Sequence, residues 1–306
     1  IGGGFQGADA SIENAGVSFV SDAATIDVSA TAPRADAGTA VVWADGASYF
    51  GGTILGQGGA LGGDGAAVEV SGLQNLDFRG VADLSAPFGK SGSLLLDPIS
   101  LEIVASGTES DPITLGDAFT FGNTDVETTS TLLVSTLETQ LGLGDVELST
   151  MDAFGEGGSI ALFDPISWTS NNRLTFSSGD SIFINAAMDA GIGDITFGLG
   201  PQRAGDEFFV PIESALVVAS DASVKAHSIL IGSSLPGGPV GPLGRIQVDG
   251  ALDVNRLTIR YPQDAVSQYG GVVGTTTINH PGNKIAVLEA RDGGLFNDDV
   301  TVVDSE

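Results

Sequence analysis

Residues 92–100 read "GSLLLDPIS" and residues 158–167 read "GSIALFDPIS". Gly158 repeats Gly92, and Asp164 repeats Asp97 one position later than an exact copy would. A phrase that returns at such a distance points to a fold built of repeats. After the second copy, apolar residues come in alternating pairs at equal steps: Ile166 and Trp168, Leu174 and Phe176, Ile182 and Ile184. Alternation is the period of a strand with one buried face. Three such strands with their turns occupy roughly 22 residues, and three laps of about that length span the distance from Gly92 to Gly158, as in a solenoid.

The same alternation runs along the chain in "ATIDVSA", "TAVVWA", "AAVEVSG", "SIFINA", "RIQVDG", "RLTIRY" and "KIAVLEA", each followed by turn residues. The strongest helical pattern is residues 132–141, "LLVSTLETQL", which reads as a short helix or as two strands. The spacing therefore predicts an all-β parallel solenoid (a β-helix) with about three short strands per coil. Laps pair in parallel, inward side chains stack into apolar ladders, and glycines serve the corners. In both copies Asp-Pro reads as a corner, because proline fixes φ and holds the preceding residue extended. The rival is a sandwich of hairpins, with type I′ turns at Asp45-Gly46, Asp64-Gly65, Asp249-Gly250 and Asp292-Gly293. Residues 1–199 read as the regular solenoid. Residues 200–306 read as its continuation with longer corner insertions, at "GLGPQRAGDEFFVP", "LPGGPVGPLG" and "YPQDAVSQYGGVVG".

Composition narrows the function. The 306 residues carry 11 Lys and Arg against 39 Asp and Glu, a formal charge of −28, yet 42% are hydrophobic, which excludes a disordered acidic tail. Scattered cations argue against nucleic acid and anionic membrane surfaces as partners. There is no cysteine, hence no disulfide or thiolate metal site. No apolar run reaches the length of a transmembrane helix, and the stretch 208–218 is broken by Pro211 and Glu213. The chain starts at Ile1 without Met or a signal-peptide pattern, which reads as a piece of a longer precursor.

Motifs for chemistry are few, and we expect no catalytic, cofactor-binding or metal-binding residues. Gly89-Lys90-Ser91 ends like a phosphate loop, but Leu84 stands where that loop needs glycine, and strands follow instead of a helix. "GQGGALGG" has Leu61 at the third glycine of a dinucleotide fingerprint. His227 and His280 have no nucleophile elbow to serve, and read as strand or corner residues. A polysaccharide-acting β-helix enzyme, a lyase or hydrolase, is the alternative function. Its carboxylates would come from Asp206 with Glu207, or Asp298 with Asp299, and Arg203 would stabilise a carbanion beside Asp206. Calcium is the small partner that corner Asp side chains would suit, since they supply oxygen ligands. Residues 62–70, "GGDGAAVEV", lack the tandem copies of a calcium-binding nonapeptide. Trp43 and Trp168 read as ladder residues, and Tyr261 and Tyr269 as the first choice for an exposed contact.

Residues 39–103 resemble a recurring segment of large bacterial exoproteins of the filamentous haemagglutinin type. The likeness is carried by Trp43-Ala44-Asp45-Gly46, "GGALGGDG", "VEVSG" and "GKSGSLLLDP". "ISWTSNNRLTFSSGDSIFINA" and "TTTINHPGNKIAVLEARDG" look like further repeats of that family. The resemblance implies a right-handed parallel β-helix, two-partner secretion through an outer-membrane transporter, and a role as a surface fibre or adhesin. It implies an extracellular or bacterial cell-surface location, and host-cell, matrix or glycan surfaces as partners. It supplies no catalytic residue. The Asn-Pro-Asn motifs of the family's secretion module are absent, so this stretch is similar to the rod. The expectation is a non-enzymatic section of a fibre or filament, presenting surfaces along a stiff rod and able to associate end to end.

Overall fold

A computed structural model describes residues 1–106, 113–114, 120–121, 129–150, 157–199, 215–233, 245–260, 276–291 and 300–303. The fold is mostly β, its sheets parallel except for a two-stranded antiparallel pair of Ile113–Thr114 with Thr120–Phe121, and the chain divides into two compact units. The first holds residues 1–153 and 172–174, the second 154–171 and 175–306.

In the first unit the chain visits three parallel ladders in rotation. One ladder stacks Val17–Val20, Ala47–Phe50 and Asn75–Phe78. The second stacks Thr25–Asp27, Thr53–Leu55 and Val81–Asp83. The third stacks Thr39–Ala44, Ala67–Gly72, Ser93–Leu96 and Asp145–Ser149. Register sorts the side chains into columns. In the third ladder Ala40, Val68, Leu94 and Val146 form one apolar column, and Val42, Val70, Leu96 and Leu148 the next, all buried. In the first ladder Val20, Phe50 and Phe78 share a column, with the two phenylalanine rings stacked at 5.6 Å. A slip of one residue would turn each column outward, so the apolar alternation fixes the register.

Among the described residues of this unit the regular rotation is interrupted once. Ser130–Leu133 pairs in parallel with Leu101–Val104, and the buried Ser130 hydroxyl accepts the Leu76 N–H at 2.9 Å. The later strand thus lies against Asn75–Phe78, ahead of the earlier one. It leads into the helix α1, Val134–Leu141, which buries Val134, Leu137 and Leu141. The segment read as a helix or two strands is therefore a strand end followed by a helix. α1 packs where the second ladder would receive its next strand, and the Gln140 side-chain oxygen accepts the Ala82 N–H at 3.0 Å. Asn172 donates to the Leu141 carbonyl at 2.8 Å and satisfies one of the helix's last acceptors.

The second unit repeats the scheme. Its first ladder runs Ile160–Leu162, Ile182–Ile184, Ala215–Val218, Arg245–Val248, Thr276–Asn279 and Val300–Val303. Its second begins Ile166–Ser167 and Met188–Asp189. Its third includes Asp194–Leu199. The long strands Ser223–Ser233 and Ala251–Arg260 each serve the second and third ladders in turn. All members of the alternating pairs, Ile166, Trp168, Leu174, Phe176, Ile182 and Ile184, are buried.

The repeated phrase proves to be a corner sentence rather than a lap marker. Both Asp-Pro pairs do sit between strands, yet Ile99 is in a half-buried bend whereas Ile166 is a buried strand residue. The expected lap takes Ile160 to Ile182, but columns elsewhere take longer steps, as from Ala67 to Ser93 and from Asp189 to Lys225. Corners absorb this variation because only the strands must keep register. The hairpin rival fails at three of its four turns: Asp45-Gly46, Asp64-Gly65 and Asp249-Gly250 connect strands that pair with other laps and not with each other. Asp292-Gly293 lies outside the described residues.

Corner aspartates tie one lap to the next. Asp36 accepts the Asp64 N–H at 2.7 Å and Asp64 accepts the Lys90 N–H at 2.8 Å; Asp145, the first residue of its strand, likewise accepts the Arg173 N–H at 2.9 Å. In the second unit Phe176 and Phe197 stack at 5.4 Å and are fully enclosed. Phe176→Ala should lower stability in urea unfolding, followed by circular dichroism, by about 3–5 kcal/mol through the cavity it leaves. An exposed control, Phe163→Ala, should change it by less than about 0.5 kcal/mol.

Candidate functional site

Outward-facing positions are where such ladders can meet a partner. The catalytic candidates fare unevenly there. His227 is an exposed strand residue whose Nδ1 lies 3.2 Å from the Asn255 amide one lap on. His280 follows Thr276–Asn279, and its Nδ1 accepts the Gly282 N–H at 3.0 Å. Gly89-Lys90-Ser91 is a loop leading into the strand Ser93–Leu96. Among the described residues no group of three or more His, Asp or Glu side chains is placed to hold a metal ion. Within the calcium-like stretch 62–70, the Asp64 carboxylate is engaged by the Lys90 N–H. Arg203, Asp206, Glu207, Tyr261, Tyr269, Asp298 and Asp299 lie outside the described residues.

The sequence positions of those residues are nevertheless informative. Residues 200–214, 234–244, 261–275 and 292–299 each connect a strand ending on the third ladder of the second unit to the next strand of its first ladder. In the second unit these four connections therefore all link the same two ladders.

In the first unit, outward side chains of the first ladder form a mixed stack. Phe19 and Tyr49 lie face to face at 4.9 Å, and the Arg79 guanidinium sits 5.5 Å from the Tyr49 ring centre. Arg79 grips the buried Asp77 carboxylate with two bonds, at 2.8 and 2.7 Å. Tyr49 donates to Asp22 at 2.8 Å. Burial, then the Asp22 carboxylate, push the phenol up to about 12, so it remains a donor at physiological pH. In the second unit the column Asp189, Lys225, Asp253, Lys284 alternates in sign from lap to lap. Lys225 lies 3.0 Å from Asp189, and Lys284 3.9 Å from Asp253. The Gly191 N–H, then Lys225, hold Asp189 below its usual carboxylate value. These pairs are exposed and contribute little stability; they spare neighbouring laps the repulsion of like charges.

Trp43 is a ladder residue with its side chain outward. It is buried because residues 1–16 cross over it. A Cβ on Gly3 or Gly7 would stand 2.6 Å from the indole, which accounts for the opening "IGGGFQG". The Trp43 N–H donates to the Ile1 carbonyl at 2.9 Å, and its indole N–H to Asp45 at 2.8 Å. Under the same cover lies Glu69, only 1% exposed. Its Oε2 accepts the Gln6 N–H at 2.9 Å. Loss of hydration raises its carboxyl above the usual range, against the smaller opposing effects of the Gln6 N–H and the Ser71 side chain. Alternation does not reveal what covers a strand; the glycine cluster at 2–4 and 7 was the available signal.

No protein-family model matches the chain, and no curated protein is significantly similar to it. Among the described residues no helix is long and apolar enough to cross a membrane.

The Glu69 environment sets a pH dependence. A carboxyl whose folded value is raised binds its proton more tightly when covered, so its cover is most stable below the unfolded value and weakens as pH rises through the folded one. Glu69→Gln removes this titration. At pH 8 the variant should be more stable than the parent by about 1–3 kcal/mol, a gain that vanishes near pH 4. Hydrogen exchange of residues 2–16 against pH checks both arms.

Proposed function

We propose that the chain is a section of an extracellular surface fibre with a structural or adhesive role, built as a right-handed parallel β-helix. The observation that carries this reading is the rotation of the chain through three parallel ladders in each unit, with side chains aligned in columns from lap to lap. Such a fold is quasi-one-dimensional: each lap contacts its neighbours, and length is gained by adding laps. The −28 charge keeps the outer surface hydrated and self-repelling. The resemblance of residues 39–103 to filamentous haemagglutinin-type exoproteins supports the same reading. With it come secretion through an outer-membrane partner transporter, a cell-surface or extracellular location, and end-to-end association of laps.

Host-cell, matrix or glycan surfaces are the proposed partners, met on the insertions that enter between two ladders of the second unit. The test is binding of the whole chain to immobilised glycans and cell-matrix proteins, with parallel assays for released reducing ends and unsaturated sugars. Saturable binding without product, weakened when residues 261–275 are replaced by a short Gly-Ser link, supports an adhesive section. Turnover of a polysaccharide that disappears in Arg203→Ala and Asp206→Ala would replace this reading with a β-helix lyase or hydrolase. Thin rods in electron micrographs are expected; compact globules would count against the fibre.

A further inference from the structure

Three loops of the first unit make one repeated turn. Ala35, Gly62 and Gly89 each donate their N–H to the residue three before, Ala32, Gly59 and Ala86, at 3.2, 3.1 and 3.2 Å. The turns recur at a constant step, from Ala32 to Gly59 to Ala86; the first two are hydrogen-bonded to each other, and Gly89 of the third lies against Gly63. The Leu61 N–H reaches the Pro33 carbonyl at 2.6 Å, and the Gly59 N–H the Ala35 carbonyl at 3.0 Å. A Cβ on Gly59 would stand 2.7 Å from the Pro33 oxygen, and one on Gly89 2.6 Å from the Gly63 carbonyl carbon. Only glycine permits this spacing, which is a reason for the "GGALGG" run.

The third position of each turn holds Arg34, Leu61 and Phe88, all exposed, with Leu61 at 58% and Phe88 at 70%. Pro33, Ala60 and Pro87 stand exposed beside them. At about 4.8 Å per lap the three tips form a ridge roughly 10 Å long. Its charged neighbours are Arg34 and Lys90 against Asp36 and Asp64, so the ridge is neutral on a chain of −28. Neither Arg34 nor Lys90 has an ion-pair partner among the described residues.

We infer that this ridge is a self-association surface on which two copies pair antiparallel, about a two-fold axis through Leu61, with Arg34 of each copy on Phe88 of the other. The order of the tips makes the ridge complementary to itself. Reversal brings Leu61 onto Leu61, lays each guanidinium over an exposed ring, and sets the lap of Asp36 opposite the lap of Lys90. A two-fold contact requires this self-complementarity. Elsewhere the acidic surfaces of two copies repel, so the neutral ridge is where a second copy meets least resistance. Three turn tips fall well short of the roughly 800 Å² a side of a standard interface. The pairing is therefore weak alone and gains strength where several such chains are tethered together. It is independent of the fibre reading, which rests on the ladders, so either can fail without the other.

The absence of cysteine makes the test direct. In the whole chain, Leu61→Cys should give a covalent dimer under mild oxidation. Phe88→Cys, although more exposed, should not, because its two copies would be about 10 Å apart along the ridge, beyond the reach of a disulfide of about 7 Å between Cα atoms. A mixture of Arg34→Cys and Phe88→Cys chains should yield the mixed dimer. Sedimentation velocity should show reversible dimerisation at about 0.15 M salt, where the Debye length is ~8 Å, and less at 0.01 M, where it is ~30 Å and repulsion dominates. Phe88→Asp should weaken dimerisation at least tenfold while leaving circular dichroism unchanged. Equal cross-linking of the Leu61→Cys and Phe88→Cys chains, dimerisation unaltered by Phe88→Asp, or a monomer at several hundred micromolar would each overturn the inference.

Discussion

Parallel pairing between successive laps is the constraint from which the rest of each unit follows. A strand of so few residues has no stability by itself. Here each strand of the ladders is held by backbone bonds to neighbouring laps, and its inward side chains extend columns already in place. The demand for register reaches strands alone. Between them the chain may take a tight bend, as at Asp45-Gly46, or a long excursion, as between Leu199 and Ala215. A short step from Ile160 to Ile182 and a long one from Asp189 to Lys225 coexist in one unit for that reason.

Polar groups reinforce the same pairing. Each Asp at a corner that accepts a backbone N–H one lap on, as Asp36 and Asp64 do, supplies an acceptor where the ladder itself has ended. Part of the chain's acidity is thus structural, not merely solubilising. Where the surrounding charge would otherwise accumulate, basic residues intervene, Arg79 on Asp77 and Lys225 between Asp189 and Asp253.

Much of this is legible in the residues. Alternation places Ile166, Trp168, Leu174, Phe176, Ile182 and Ile184 in the interior, and turn chemistry places Asp-Pro between strands. The lap length is harder to read, because the most conspicuous phrase, around Asp97 and Asp164, describes a type of corner. A quieter signal has the right period. Asp27 and Ser29 in "ATIDVSA" recur as Asp83 and Ser85 in "VADLSA", two laps on, at twice the step that takes Thr25 to Thr53 and Thr53 to Val81. Residues 132–141 are ambiguous because a strand merges there into a helix without a side-chain cap. The outer surface is less open to reading. Trp43 and Glu69 owe their burial to the first turns of the chain, distant from both in sequence, and the alignment of Arg34, Leu61 and Phe88 emerges only once the turns are stacked.

The displaced strand at Ser130–Leu133 carries a consequence for how the first unit assembles. A chain that wound up strictly from its first lap would complete Ser93–Leu96 and Leu101–Val104 before the layer beneath the latter had been synthesised. The intermediate must leave Leu101–Val104 unlatched until the chain has emerged as far as Leu133 and slid between it and Asn75–Phe78. Vectorial winding is thereby converted at one point into a wait for a distant partner, a high-contact-order step in an otherwise local process. The kinetic bottleneck of this unit should lie there, at the place where chain order and spatial order disagree.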